Sequence, residues 1–267
     1  MIPKKIHYCW FGGKQLPDEA KRFIDSWKRY CPDYEIIEWN ENNFDLNKCA
    51  YIKEAYEAKK WAFITDYVRL YVMVNYGGIY MDTDVEVIKS LDPFLKHQAF
   101  SGFEDKENIP TGIMACEKGF PLFAEFLNYY NDSHFVKEDG TYDITTNVKI
   151  ITEMCHKYKF IPNNEYQVIN GFALYPNDYF CPKSHETGII NMTENTVTIH
   201  HFAGSWLTKH RKTANNIQIY FRAKNMQKLG VLISFPWTFA DKVKNKGMTK
   251  TLKYYFRKYI LRKEGKQ

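Results

Sequence analysis

Hydrophobic positions along the chain switch repeatedly between strand-like runs and helical spacing. Residues 2–10 read as a strand ending in Trp10-Phe11-Gly12-Gly13, a glycine turn. Pro17-Asp18 then open a helix through Tyr30, with Phe23, Ile24 and Trp27 at helical spacing. Cys31-Pro32-Asp33 break it, and Tyr34 to Trp39 read as a second strand. Strand, helix, strand at this spacing predicts an α/β opening. A polar loop from Asn40 to Asn47 leads back into helical sequence.

Trp61 to Asn75 predicts a helix that is apolar almost all round, through Phe63, Ile64, Val68, Leu70, Tyr71, Val72 and Val74. Such a helix belongs in a core. Gly77-Gly78 stop it, the first as a left-handed cap. Ile79 to Ile88 then reads as one strand of period two. Ile79, Met81, Val85 and Val87 fall on one side of it, and Asp82, Asp84 and Glu86 on the other. Residues 98–190 alternate short strands with a helix around Pro121 to Tyr130, and Val197 to Phe202 read as a further strand.

At 267 residues the chain is long enough for one large domain, or a domain with an extension. Hydrophobic residues at 45% and charged residues at 25% describe ordinary globular material. The aromatic content, 20 Tyr, 19 Phe and 6 Trp, supplies flat faces for packing or for stacking on rings. Charge divides the chain. Residues 209–267 hold 16 Lys and Arg against Asp241 and Glu264, a net +14, so the first 208 residues carry −8. An acidic body with a basic tail excludes a uniformly basic nucleic-acid binder, and no nucleic-acid partner is expected.

Six cysteines stand at 9, 31, 49, 116, 155 and 181, without a CxxC pair, so free thiols are expected. Met1-Ile-Pro-Lys-Lys-Ile-His runs straight into strand-like sequence, from which no secretory leader and a cytoplasmic location are expected. The longest apolar run, Gly230 to Ala240, is about half of what a bilayer span needs. An integral membrane protein is not expected.

Two clusters carry chemistry. Gly77-Gly78-Ile79-Tyr80-Met81-Asp82-Thr83-Asp84 places two carboxylates at i and i+2 on one strand face, about 7 Å apart at the Cα level. That arrangement suits a hard divalent cation with coordination positions left for a diphosphate. A solvated acidic edge strand is the bland alternative. Asp66 and Arg69, at i and i+3 within the apolar helix, form either a buried ion pair or a rigid polar pair turned toward a ligand.

Phe63-Ile64-Thr65-Asp66-Tyr67-Val68-Arg69-Leu70 and Tyr76-Gly77-Gly78-Ile79-Tyr80-Met81-Asp82-Thr83-Asp84 together resemble the glycosyltransferases of family 32. These are the DXD sugar transferases related to yeast initiating mannosyltransferases and bacterial capsular-polysaccharide enzymes. Ile2 to Gly13 resembles the family's first strand, and His200-His201-Phe202-Ala203-Gly204-Ser205-Trp206 its closing motif. The resemblance spans residues 1–207. It implies a GT-A type α/β fold, a Rossmann-like mixed sheet flanked by helices. It also implies a nucleotide-sugar donor, Mn²⁺ or Mg²⁺, retention at the anomeric carbon, and a glycan or lipid-linked glycan acceptor in cell-surface or capsular polysaccharide synthesis.

Carried over by position, Trp10 would stack on the donor base. Asp66 and Arg69 would hold the sugar hydroxyls and the ribose–diphosphate side. Asp82 would sit mainly on ribose and sugar, and Asp84 on the metal. A histidine, His201 or its neighbour His200, would complete the metal site, and His201 is the one expected. Ser205 and Trp206 would contact the diphosphate. Thr145-Thr146-Asn147-Val148 departs from the Thr-Gly-Pro often found in the family, on the acceptor side.

Residues 208–267 form a basic, mainly helical extension in this reading. On a helical wheel Leu252, Tyr255, Phe256, Tyr259 and Ile260 share a face, opposite Lys250, Arg257 and Lys258, with Lys253 and Arg262 at the borders. An amphipathic cationic helix of this kind predicts peripheral attachment to an anionic inner-membrane face. The alternative is a helix packed on the protein's own acidic body. For the whole chain two other classes stand against the transferase. A haloacid-dehalogenase-type phosphohydrolase also uses Asp-x-Asp, but Glu86 stands where it needs Thr or Val. A non-catalytic glycan-binding module would have no need of Asp66, Arg69, Asp82 and Asp84 together.

Overall fold

The computed structural model describes residues 1–204 and 207–264, with the side chains of 246 and 258–264 also left undescribed. The chain divides into two compact units, residues 1–184 with 190–203, and residues 185–189 with 204–267.

In the first unit, β1 (Lys5–Cys9) leads to α1 (Asp18–Tyr30) and β2 (Glu35–Trp39). Pro17 precedes α1, Asp18 and Glu19 fill its first turn, and Lys28 and Arg29 its last, each charge set against the helix dipole. Ala20, Ile24 and Trp27 form its buried stripe, and the Trp27 indole donates to the Val85 carbonyl at 2.7 Å. α2 (Ala50–Glu57) and the long α3 (Trp61–Tyr76) follow, then β3 (Gly78–Met81) and β4 (Val85–Val87). After them come β5 (Ala99–Gly102), β6 (Ile113–Cys116), α4 (Pro121–Asn128), α5 (Asn147–Cys155), β7 (Gln167–Ile169), β8 (Phe172–Tyr175), the short α6 (Asn177–Phe180) and β9 (Thr198–His200).

Among the described residues, seven strands form one mixed sheet in the order β2-β1-β3-β6-β5-β8-β7. β1 runs parallel to β2 and β3, and β5 to β8. The β3–β6, β5–β6 and β7–β8 pairs are antiparallel. Alternate residues of the central strands feed two apolar layers. Tyr80, Met114 and Phe172 join Val68, Val72 and Phe123 on one face, while Ile79, Ala115 and Phe100 join Ile24 and Trp27 on the other. This is the helix-flanked α/β sheet expected from the sequence, and all six cysteines are free thiols.

Three differences from the expected elements matter. The strand expected over Ile79–Ile88 is broken into β3 and β4 by a turn at Asp82-Thr83-Asp84, where the Val85 amide donates to the Asp82 carbonyl at 3.0 Å. β4 leaves the main sheet and pairs antiparallel with β9, Val85 opposite His200. The turn preserves the parity of the alternation, so Ile79, Met81, Val85 and Val87 are all buried although two sheets bury them. Gly77 is not a left-handed cap. Its φ of 67° comes with an extended ψ of 178°, and a Cβ there would meet the Lys118 amide nitrogen at 2.6 Å. Finally, α5 occupies a stretch expected to hold only strands and loops, opened by Thr146, whose side chain caps the Lys149 amide.

The second unit carries α7 (Lys209–Ala223), α8 (Gln227–Lys246) and α9 (Met248–Glu264). Thr208 caps α7 by accepting from the Arg211 amide at 3.1 Å. No helix of the described residues is long and apolar enough to cross a membrane.

Candidate metal and donor site

α3 sets Asp66 and Arg69 one turn apart, and both are buried, at 8% and 5% exposure. The Arg69 guanidinium contacts Asp66, Asp82, Thr65 and Thr111. Nη2 lies 3.3 Å from Asp66 Oδ1 and 3.4 Å from Asp82 Oδ1. Nη1 donates to the Thr111 carbonyl at 2.5 Å, and Nε to the Thr65 carbonyl at 3.2 Å. The Tyr80 ring lies beneath the guanidinium, 4.7 Å from centroid to Cζ, and its hydroxyl donates to Asp82 Oδ1 at 2.8 Å. Arg69 therefore ties α3 to the turn after β3 and holds two carboxylates at once. Burial works against its charge, but Asp82 and then Tyr80 and Asp66 outweigh it and push its pKa up. Burial dominates at Asp66 and lifts its carboxyl to about 6, against the pull of Arg69.

Asp84 lies on the other side of the turn. Its Oδ2 accepts from the Ala203 amide at 2.7 Å, and its carbonyl accepts from the His201 amide at 2.9 Å. His200, opposite Val85 in the two-stranded sheet, brings Nε2 to 3.3 Å from Asp84 Oδ1 and 4.0 Å from Asp82 Oδ2. Burial opposes ionisation of both partners, yet each stabilises the other's charge. The Asp84 carboxyl is held down at about 2, and the His200 imidazole titrates well above its ordinary range. The His200 ring leans on Phe202 at 4.1 Å and lies flush against Gly112, where a Cβ would come within 2.7 Å of it.

Asp82, Asp84 and His200 thus form a ligand set, one donor atom from each lying within 4.8 Å of the others. The fit to a divalent cation rests on two features of the protein itself. Two carboxylates facing one imidazole form an O,O,N donor set, which suits Mn²⁺ better than the all-oxygen preference of Mg²⁺. His200 is also buried, with the Cys181 thiol beside it, so the imidazole is oriented by the acids in front of it, by that thiol and by packing.

His201, the histidine expected to ligate, lies elsewhere. Its Nε2 is 2.8 Å from Glu86 Oε2, and its ring stacks on Phe23 at 4.5 Å. Extrapolating period two back from Val197 and Ile199 misplaces the pair. β9 is only three residues long, and the chain leaves extended geometry at Phe202, whose φ is 54°. Trp10 is half-buried beside the Ile24–Trp27 layer, its indole donating to the Lys14 carbonyl at 2.5 Å. Ser205 and Trp206 lie outside the described residues.

Other contributors carry little sequence signal. Thr111 offers only its carbonyl, Gly112 only the space that its missing Cβ leaves, and Ala203 only an amide. Asn147, in the departing Thr-Thr-Asn stretch, is buried and donates to the Asp66 carbonyl at 3.0 Å. A polar residue opening a helix was the one available clue to it.

Residues 17–101 match the family described as the glycosyltransferase sugar-binding region containing the DXD motif. The matched stretch contains α3 and the Asp82-Thr83-Asp84 turn. Inositol phosphoceramide mannosyltransferase 3 of Schizosaccharomyces pombe is 28% identical over 130 residues, 47% of this chain and 36% of that protein. An uncharacterized glycosyltransferase of Acanthamoeba polyphaga mimivirus is 25% identical over 202 residues, 68% of this chain and 78% of that protein. The match thus spans about a third of the fission-yeast enzyme's length. Among solved structures, the galactosyltransferase LgtC in complex with donor and acceptor sugar analogs aligns with a TM-score of 0.42 at 13% identity. That alignment covers 84% of this chain and 95% of LgtC.

Proposed function

We propose that the protein is a metal-dependent retaining glycosyltransferase that moves a hexose from a nucleotide-sugar donor to a hydroxyl of a glycan or glycolipid. The observation that carries this reading is the convergence of Asp82, Asp84 and His200, with Arg69 fixing Asp82 from behind. Asp82, Asp84 and His200 would hold Mn²⁺, or Mg²⁺. The bound ion supplies positive charge against the departing nucleoside diphosphate.

The chain's own residues do the rest. Arg69 holds the Asp82 carboxylate in place beside Asp66 and is the cation assigned to the ribose–diphosphate side. Asp66, beside it, accepts from sugar hydroxyls and sets the orientation of the anomeric carbon, the geometry on which rate depends most steeply. Trp10 provides an aromatic face for the donor base, and Ser205 and Trp206 are the residues assigned to the diphosphate. A front-face displacement, with the leaving diphosphate drawing the acceptor proton, needs no protein nucleophile. UDP-sugars are the favoured donors. GDP-mannose is the second choice, in keeping with the mannosyltransferase name of the fission-yeast relative.

The test is donor hydrolysis with UDP- and GDP-sugars in the presence of Mn²⁺, on wild type and Asp84→Asn. Slow hydrolysis is expected for wild type and at most a few per cent of it, by order of magnitude, for the variant, with folding intact. Activity that persists in the variant or in excess chelator contradicts the proposal.

A further inference from the structure

α8 is assembled inside out for a helix in water. Gly230, Ser234 and Asp241, spaced four and seven residues apart, share a stripe, and all three are buried. That stripe meets α7 and its cap. The Gln218 amide donates to Ser234 Oγ at 2.8 Å, the Thr208 hydroxyl donates to Asp241, and a Cβ at Gly230 would meet the Phe221 Cβ at 2.8 Å. On the other side Val231, Leu232 and Phe235 are exposed, Leu232 at 70%, with Phe235 packed in part on Tyr255 of α9. Water-soluble helices bury the apolar stripe and expose the polar one. Small and polar residues between helices, with large apolar residues outward, is how helices pack in lipid.

Charge and length identify the occupant. The apolar tract is bracketed by Lys224 and Lys228 before it and Lys242 and Lys244 after it, within a segment carrying a net +14. Cationic brackets around an apolar face complement an anionic lipid surface, with a few tenths to about 1 kcal/mol from each base near the headgroups. The eleven residues Gly230 to Ala240 span only about 16 Å as helix, against the roughly 30 Å of a bilayer core.

We propose that the outward face of α8 inserts into one leaflet of an anionic membrane, Val231, Leu232 and Phe235 entering the acyl region and the flanking lysines resting on lipid phosphate. This assigns the membrane contact to α8, not to the α9 stripe read from the sequence. It would hold a glycosyltransferase beside a lipid-linked acceptor, but it does not depend on that activity.

The full chain is sedimented with phosphatidylcholine vesicles, with and without phosphatidylglycerol. Wild type is expected to pellet with the anionic vesicles and to remain partly bound at about 1 M salt, where screening is nearly complete. Leu232→Glu/Phe235→Glu should lower partitioning at least about tenfold. Leu232→Glu alone, at a position 70% exposed, should lower it in the same direction with thermal melting unchanged, which separates lipid contact from the packing of Phe235 on Tyr255. Leu252→Glu/Phe256→Glu in α9 should have the smaller effect. Binding by Leu232→Glu/Phe235→Glu equal to wild type overturns the proposal, as does a larger loss from the α9 pair. Failure of wild type to bind either vesicle also overturns it. So does a wild-type dimer, without vesicle binding, that Leu232→Glu/Phe235→Glu dissociates, since the face would then be a protein interface.

Discussion

Arg69 shows how one residue organises a cluster of acids. Its guanidinium is buried against two aspartates, two carbonyls and a tyrosine ring, so removing it leaves Asp66 and Asp82 facing each other uncompensated. Arg69→Ala is expected to cost about 3–5 kcal/mol of folding stability, the range for breaking a buried pair on one side. Chemical denaturation measures it, and a loss below about 1 kcal/mol would mean the pair is effectively solvated. Asp66 gives a pH signature. Its carboxyl titrates at about 6 in the fold against 3.8 as a free group, so the folded state binds that proton more tightly than the unfolded one. The corresponding stability is full below pH 3.8 and lost as pH rises through 6. In metal-free protein, the Tm of Asp66→Asn relative to wild type should therefore rise between those two pH values. A flat difference, measured by calorimetry at both, contradicts a desolvated Asp66.

At the scale of elements, three of them meet at the centre: the middle of α3, the turn after β3, and the end of the short β9. Gly112, just before β6, matters because His200 occupies the space a side chain would fill. Gly112→Ala should displace the imidazole and weaken Mn²⁺ binding by about 10–100-fold, as losing a supporting group does, with little loss of fold. Unchanged Mn²⁺ titration of that variant would show that the ring position is not critical. Much of this was legible in the sequence. The spacing of Asp66 and Arg69 and the Gly-Gly-x-x-x-Asp-x-Asp run announced a polar pair on a buried helix and a carboxylate pair beyond it. The break between β3 and β4 was not legible, because a turn that keeps period-two parity leaves the alternation of Ile79, Met81, Val85 and Val87 intact. The choice between His200 and His201 was hidden for a related reason. Over a three-residue strand, alternation counts too few positions to fix which side chain faces the turn. Contributions made by a carbonyl, an amide or a missing Cβ leave no trace in residue type at all.

At the scale of the molecule, an acidic unit carries the Asp82, Asp84 and His200 cluster and a basic helical unit carries the exposed face of α8. As proposed above, the first unit would bind the donor and the α8 face would meet lipid. The central claim is that Asp82, Asp84 and His200 together, without His201, form the metal centre for a nucleotide-sugar donor. Titrating Mn²⁺ in the presence of UDP or GDP, followed by electron paramagnetic resonance, tests it most directly on wild type, His200→Ala and His201→Ala. Wild type and His201→Ala should bind with similar affinity, and His200→Ala at least about tenfold more weakly. Wild-type affinity in His200→Ala, or a loss confined to His201→Ala, would contradict the account.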